Sequence, residues 1–148
     1  MDDLYQQELL DHYKHPHNFG TLTEPSCAVT ETNSSCGDSL TLQLKIKNKI
    51  VTEAKFTGSG CAVSMAAASL LTDYIIDRSV KQLKTIDFDF MQQLIGATIS
   101  PGRVKCLTLS ARALMVALNQ ALGNLDLADD QSSVLEEESG AGGIGARQ

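Results

Sequence analysis

The sequence predicts an α+β fold: a small three-stranded antiparallel sheet packed against helices. Two periodicities and their order predict it. Residues 40–46 and 50–56 alternate apolar and polar side chains, whereas apolar residues recur at helical spacing from Cys61 onward. Strands therefore come first and helices later, which favours a sheet with helices on one face over an alternating α/β chain. The composition agrees. Hydrophobic residues at 43% suffice for a core, and with no Trp and 5% aromatics that core is aliphatic and alanine-rich.

Taken in order, residues 3–14 read as a helix with Leu4, Leu9, Leu10 and Tyr13 as its stripe, stopped by His15-Pro16-His17-Asn18. Val29 to Thr32 supplies a first strand before an Asn33-Ser34-Ser35 loop. Leu40, Leu42, Leu44 and Ile46 form the second, Asn48 sits in a tight turn, and Ile50, Thr52, Ala54 and Phe56 complete a hairpin up to Gly58. From Ala62 to Ile75 apolar residues fill nearly every turn, so this helix is mostly buried. Val80–Ile86 and Asp87–Ile95 read as two shorter helices, and Ser100-Pro101-Gly102 breaks the chain. The last helix is expected from Arg103 to Leu122 with Leu107, Ala111, Leu114, Leu118 and Leu122 as its stripe, ended by Gly123-Asn124.

The net charge of −6 in 148 residues is uneven. Residues 125–148 hold six acids and one base, leaving 12 acids and 11 bases in residues 1–124. The domain is therefore expected over 1–124 and nearly neutral, with 125–148 an acidic Ser/Gly-rich tail too poor in apolar surface to order itself. No basic face points to nucleic acid, and no stretch approaches the ~20 apolar residues of a membrane span. The start, Met-Asp-Asp-Leu-Tyr, lacks the basic and apolar regions of a secretory signal. A cytoplasmic protein with neither nucleic acid nor membrane as partner is expected.

In such a compartment the four cysteines are core, metal-binding or catalytic rather than disulfide-bonded. Cys27, beside Ser26 and Ala28 at a strand start, reads as a buried bystander. The other three lie at element boundaries. Cys36-Gly37-Asp38 enters the second strand, and Gly37 permits a tight turn that puts Asp38 on the side of Cys36. Gly58-Ser59-Gly60-Cys61 leads into a helix whose positive end favours a thiolate. Cys106 opens the last helix between the cations Arg103 and Lys105. Three thiolates and a carboxylate can make a four-coordinate site for zinc or cluster iron, yet gaps of 25 and 45 residues are not zinc-finger spacing. From spacing alone core, metal and catalysis stay open.

Cys36-Gly37-Asp38, Gly58-Ser59-Gly60-Cys61-Ala62-Val63-Ser64 and Arg103-Val104-Lys105-Cys106 together resemble the U-type iron–sulfur assembly scaffolds: IscU, SufU and the N-terminal domain of NifU. Leu4-Tyr5, Asp11-His12-Tyr13-Lys14 and Pro16 to Gly20 match that family's opening helix and turn. The resemblance covers residues 1 to about 124 and implies that Cys36, Asp38, Cys61 and Cys106 converge at one exposed end, holding zinc or a transient [2Fe–2S] cluster. It implies as partners a cysteine desulfurase of the SufS or IscS type and apo iron–sulfur acceptor proteins. A carboxylate among thiolates is a harder, weaker ligand for iron, which suits release over storage.

Two features bear on the branch. Lys105 stands where IscU members place a histidine, and Arg-x-Lys-Cys is the SufU pattern. Ile99-Ser100-Pro101-Gly102-Arg103 replaces the Leu-Pro-Pro-Val-Lys that IscU members offer to an Hsp70-type chaperone. The 45-residue gap nevertheless has the short IscU length, so a SufU-like site on an uninserted chain is expected. By resemblance the persulfide acceptor is Cys36 in the SufU manner or Cys106 in the IscU manner, with Lys105 and Arg103 as electrostatic neighbours. Three functions follow as expectations: a cluster scaffold, a zinc-dependent sulfur acceptor that holds no cluster, or a structural zinc module. A scaffold or sulfur-transfer protein is favoured over a self-contained enzyme. His12, His15 and His17 read as helix surface and turn, and Met65, Met91 and Met115 as core fillers.

Overall fold

The computed structural model describes residues 3–35, 37–96 and 98–133. The sheet is antiparallel in the order β1-β2-β3, built from β1 (Cys27–Asn33), β2 (Asp38–Lys47) and β3 (Ile50–Ser59). The α+β class is as expected. Asn48 (φ 55°) and Lys49 (φ 65°) make the two-residue hairpin between β2 and β3, since two positive φ values match the twist of the flanking strands. On central β2, Asp38, Leu40, Leu42 and Leu44 are buried in alternation with half-buried Ser39, Thr41 and Gln43. Asp38 is thus the polar end of an otherwise aliphatic inward row.

The outer edge of β3 is covered at two points. Gly20 N–H donates to the Phe56 carbonyl and Phe56 N–H to that of Asn18, while Val51 and Asp77–Arg78 exchange backbone hydrogen bonds further along. This blunts an edge that would otherwise present unpaired groups.

The helices are α1 (Asp3–Lys14), α2 (Ala62–Ile75), α3 (Val80–Leu83), α4 (Phe88–Ile95) and α5 (Val104–Ser133), with a 3₁₀ turn at Pro101–Arg103. Ser79 and Gln82 form a reciprocal capping box on α3, Asp87 caps α4, and Gly96 closes α4 in the left-handed conformation. The core joins Leu40, Leu42, Leu44 and Phe56 of the sheet to Leu71, Ile75, Met91, Leu107 and Leu114 of the helices, all at most 1% exposed. Met65 belongs to it as expected, whereas Met115 is half-buried. Cys27 is buried at the start of β1, as its bystander reading requires.

Three expectations are corrected. On α1 two members of the expected stripe, Leu10 and Tyr13, are 49% and 42% exposed, while Leu9 is half-buried and His12 is buried. Its ring Nδ1 meets Ser69 Oγ on α2 at 2.7 Å, so a polar contact decides which face turns inward. The stretch after Val80 is helical only to Leu83, with Ile86 buried beyond it. The last helix does not end at Leu122 but runs through Gly123 and Asn124 to Ser133, so residues 125–133, expected in a disordered tail, are helical. A glycine inside a helix costs only about 1 kcal/mol against alanine and stops it only when the backbone turns left-handed there. Residues 134–148 of the expected tail lie outside the described residues. The fold divides into one unit ending at Leu118, with the sheet and the site, and a second beginning at Asn119.

Candidate metal centre

Three loops and helix starts bring the expected chemistry together. Asp38 opens β2, Cys61 is the N-cap of α2 with extended backbone (φ −75°, ψ 171°), and Cys106 lies in the first turn of α5. One ligand atom from each of the three lies within 4.8 Å of the other two. Asp38 and Cys106 are buried and Cys61 is half-buried, so the group is reached from the Cys61 side. Cys36, the fourth expected ligand, lies outside the described residues.

The Asp38 carboxylate is held from both sides. Oδ1 accepts the Cys61 N–H at 3.2 Å, and Oδ2 accepts the Ser64 hydroxyl at 2.7 Å. Placing a carboxylate over the first turn of α2 is favourable because the amides there carry partial positive charge. Gly60 permits the approach, since a Cβ at that position would stand 2.8 Å from Asp38 Oδ1. Gly58 (φ +154°) is tighter still, because a Cβ there would meet the Ser39 carbonyl oxygen at 2.2 Å. Gly37 (φ +75°) lies in the left-handed region and donates its N–H to the Asn33 carbonyl. Asn33 pairs with Asp38 across the sheet, and its buried Nδ2 has no hydrogen-bond partner among the described residues.

Burial by itself would push the Cys61 thiol up. The Ser64 N–H and hydroxyl, the Cys106 side chain and the Val63 N–H outweigh it and hold the thiol below an ordinary cysteine. The Ser64 oxygen lies 3.6 Å from the Cys61 sulfur. The expectation that a helix start favours a thiolate at Cys61 therefore stands, and its agents are first-turn amides and a hydroxyl. Cys27 behaves oppositely, its thiol pushed up by burial. Arg103 and Lys105 are exposed beside Cys106.

Ser64 is the functional side chain that sequence reasoning missed. It stood within the quoted motif without a role, although a serine three residues after a helix N-cap is well placed to interact there. The donor set, two sulfurs and one carboxylate oxygen, fits zinc or thiophilic iron rather than magnesium or calcium. No helix among the described residues is long and apolar enough to cross a membrane.

Comparison with known proteins gives a consistent result. The profile of the NifU-like N-terminal domain family matches residues 4–124. A zinc-dependent sulfurtransferase SufU from Bacillus subtilis is 38% identical over 131 residues, covering 77% of this chain and 88% of that protein. An iron–sulfur cluster assembly scaffold protein IscU from Streptococcus pyogenes is 29% identical over 146 residues, covering 87% and 91%. The crystal structure of the N-terminal part of a NifU-like protein from Brucella abortus superposes with a TM-score of 0.69 at 20% identity, covering 82% of this chain and 96% of that one, and shares the fold.

Proposed function

The chain belongs to the NifU-like N-terminal domain family, and from that premise we propose that it serves iron–sulfur cluster assembly by accepting sulfur from a cysteine desulfurase at a zinc-binding Cys–Asp site. The observation that carries this reading is the convergence of Asp38, Cys61 and Cys106 within 4.8 Å. Cys36, two residues before Asp38, completes the donor set in this proposal. Residues 1–124 form the working domain and 125–148 an acidic tail outside it. The setting is the cytoplasm, where thiols stay reduced.

Bound zinc would keep its cysteine ligands deprotonated. The chain's own residues do the rest. Asp38 brings its negative charge without a fourth sulfur, leaving the site weaker for soft metals than an all-thiolate cage. Ser64 and the first-turn amides lower the Cys61 thiol below an ordinary cysteine, which favours its thiolate form. In transfer, a thiolate of Cys36 or Cys106 attacks the outer sulfur of the desulfurase persulfide. A new sulfur–sulfur bond forms, the old one breaks, and the desulfurase thiolate leaves with the electron pair, so no outside oxidant is needed. Exposed Gly60 neighbours and the half-buried Cys61 leave the site open to a partner, and Arg103 and Lys105 favour an anionic sulfur near Cys106.

The test is anaerobic incubation of the purified protein with a SufS-type desulfurase, cysteine and iron, with and without zinc. Zinc-dependent stimulation of the desulfurase with a persulfide on this chain is expected. Scaffold activity, the reading favoured by the Asp38 carboxylate as a weak ligand, would instead give cluster absorbance that passes to an apoprotein acceptor. Neither effect, with zinc removable only by unfolding, would leave a structural zinc module.

A further inference from the structure

A second group of metal-ligating side chains lies away from the thiols. His12 near the end of α1, His17 in the turn after it and Asp73 near the end of α2 each offer a ligand atom within 4.8 Å of the other two. Their placement corrects the expectation of helix surface for His12, which is 7% exposed, while His15 and His17 are exposed as expected.

Both imidazoles are already oriented. His12 Nδ1 lies 2.7 Å from Ser69 Oγ, and the same oxygen accepts the His17 N–H at 2.7 Å. His17 Nδ1 pairs with Asp73 Oδ2 at 2.5 Å, while Asn18 Nδ2 donates to Asp73 Oδ1 at 2.9 Å. The rings stand 4.4 Å apart, tilted by 50°. Histidines that ligate metals typically have the far ring nitrogen anchored by an oxygen, which sets the ring and raises its basicity. On His12 the anchored atom is Nδ1, which leaves Nε2 for an ion, whereas at His17 and Asp73 the ion would take the place of the proton shared between Nδ1 and Oδ2.

We propose that His12, His17 and Asp73 form a second divalent transition-metal site, separate from the thiol site, at which an ion ties the end of α1 to α2. Two imidazoles beside a carboxylate favour zinc, iron(II), cobalt(II) or nickel(II) over magnesium and calcium. His12 sets one ligand against the protein, and the side chains of His17 and Asp73, 48% and 43% exposed, leave an entry path and open positions for water. Asp73 is twelve residues beyond Cys61 on the same helix, about 18 Å at 1.5 Å per residue, so one ion cannot serve both sites. An ion bound only when α1 is docked stabilises that docking by mass action.

The test uses the full chain with Cys27, Cys36, Cys61 and Cys106 all changed to Ser, titrated with Zn²⁺ and followed by the imidazole proton resonances. His12 and His17 should shift to saturation while His15 does not move, and the melting temperature should rise with zinc. His17→Ala and Asp73→Asn should each weaken zinc binding at least about tenfold. Equal responses from all three histidines, or unchanged affinity in His17→Ala, would overturn the site. Should the thiol-free chain not fold, cobalt(II) titration of the wild type replaces it. Thiolate-to-cobalt charge transfer reports the first site separately; a further equivalent showing only weak nitrogen/oxygen d–d bands, lost in His17→Ala, is expected. Absence of that equivalent in the wild type refutes the second site and leaves the first untouched.

Discussion

Ser64 bridges two residues of the site: its hydroxyl donates to Asp38 Oδ2 at 2.7 Å, and its oxygen lies 3.6 Å from the Cys61 sulfur. One hydroxyl proton cannot serve both a carboxylate and a thiolate at once. Engagement of Asp38 by a metal or partner group therefore frees the proton for Cys61, so the carboxylate and the thiolate are linked through a single side chain.

Ser64→Ala removes that link and one of the groups holding the Cys61 thiol down. Cys61 should then alkylate more slowly at neutral pH, by a few-fold, with Ser64→Thr restoring the rate. In the wild type, Cys61 should react well before Cys27, whose thiol burial pushes up. Peptide mapping of iodoacetamide-treated, metal-free protein measures both. An unchanged rate in Ser64→Ala would show the hydroxyl to be irrelevant to Cys61.

Asp38→Ala leaves the Cys61 N–H and the Ser64 hydroxyl without their acceptor in a buried setting. A stability loss of roughly 1–3 kcal/mol is expected from urea denaturation, and Asp38→Asn, which keeps an acceptor oxygen, should lose less. With the weak oxygen ligand gone, any iron–sulfur cargo on the Ala variant should pass to an apoprotein more slowly. Transfer as fast as in the wild type would refute the lability argument.

Gly60→Ala and Gly102→Ala make a matched pair. A Cβ at Gly60 meets Asp38 Oδ1 at 2.8 Å, whereas one at Gly102 meets nothing within 4 Å. Gly60→Ala should therefore displace the carboxylate and weaken zinc binding about tenfold, as losses around a ligand commonly do. Gly102→Ala should bind zinc like the wild type. Competition against a chromophoric chelator measures both.

Cys27 provides the pH prediction. Its thiol is raised in the folded chain, so the stability it contributes is fully present below the ordinary cysteine pKa of about 8.5 and is lost as pH rises through the higher folded value. Denaturation midpoints of the wild type should fall faster than those of Cys27→Ala as pH rises above about 8.5. Parallel curves would mean that Cys27 ionises as freely in the fold as outside it.

Much of the fold was legible from local pattern. The alternation Leu40, Leu42, Leu44 marks β2 because successive side chains on a strand point to opposite faces, and Asn48 marks its turn. The boundary cysteines were legible because glycine and charge beside a thiol are uncommon in a core. Ser64 went unread because its role depends on a carboxylate 26 residues earlier in the chain. His12 and His17 went unread for the same reason, since the partners that orient them, Ser69 and Asp73, lie more than 50 residues away.

The sequence by itself determined the α+β class, the family and the cysteine–aspartate motif, because each rests on side-chain period or short spacing along the chain. Tertiary structure alone decided that Asp38 is clasped by α2, that α1 turns His12 rather than Leu10 and Tyr13 inward, and that two histidines meet an aspartate. Those outcomes depend on which hydrogen-bonding groups from distant segments satisfy one another once buried, and no local pattern encodes that pairing.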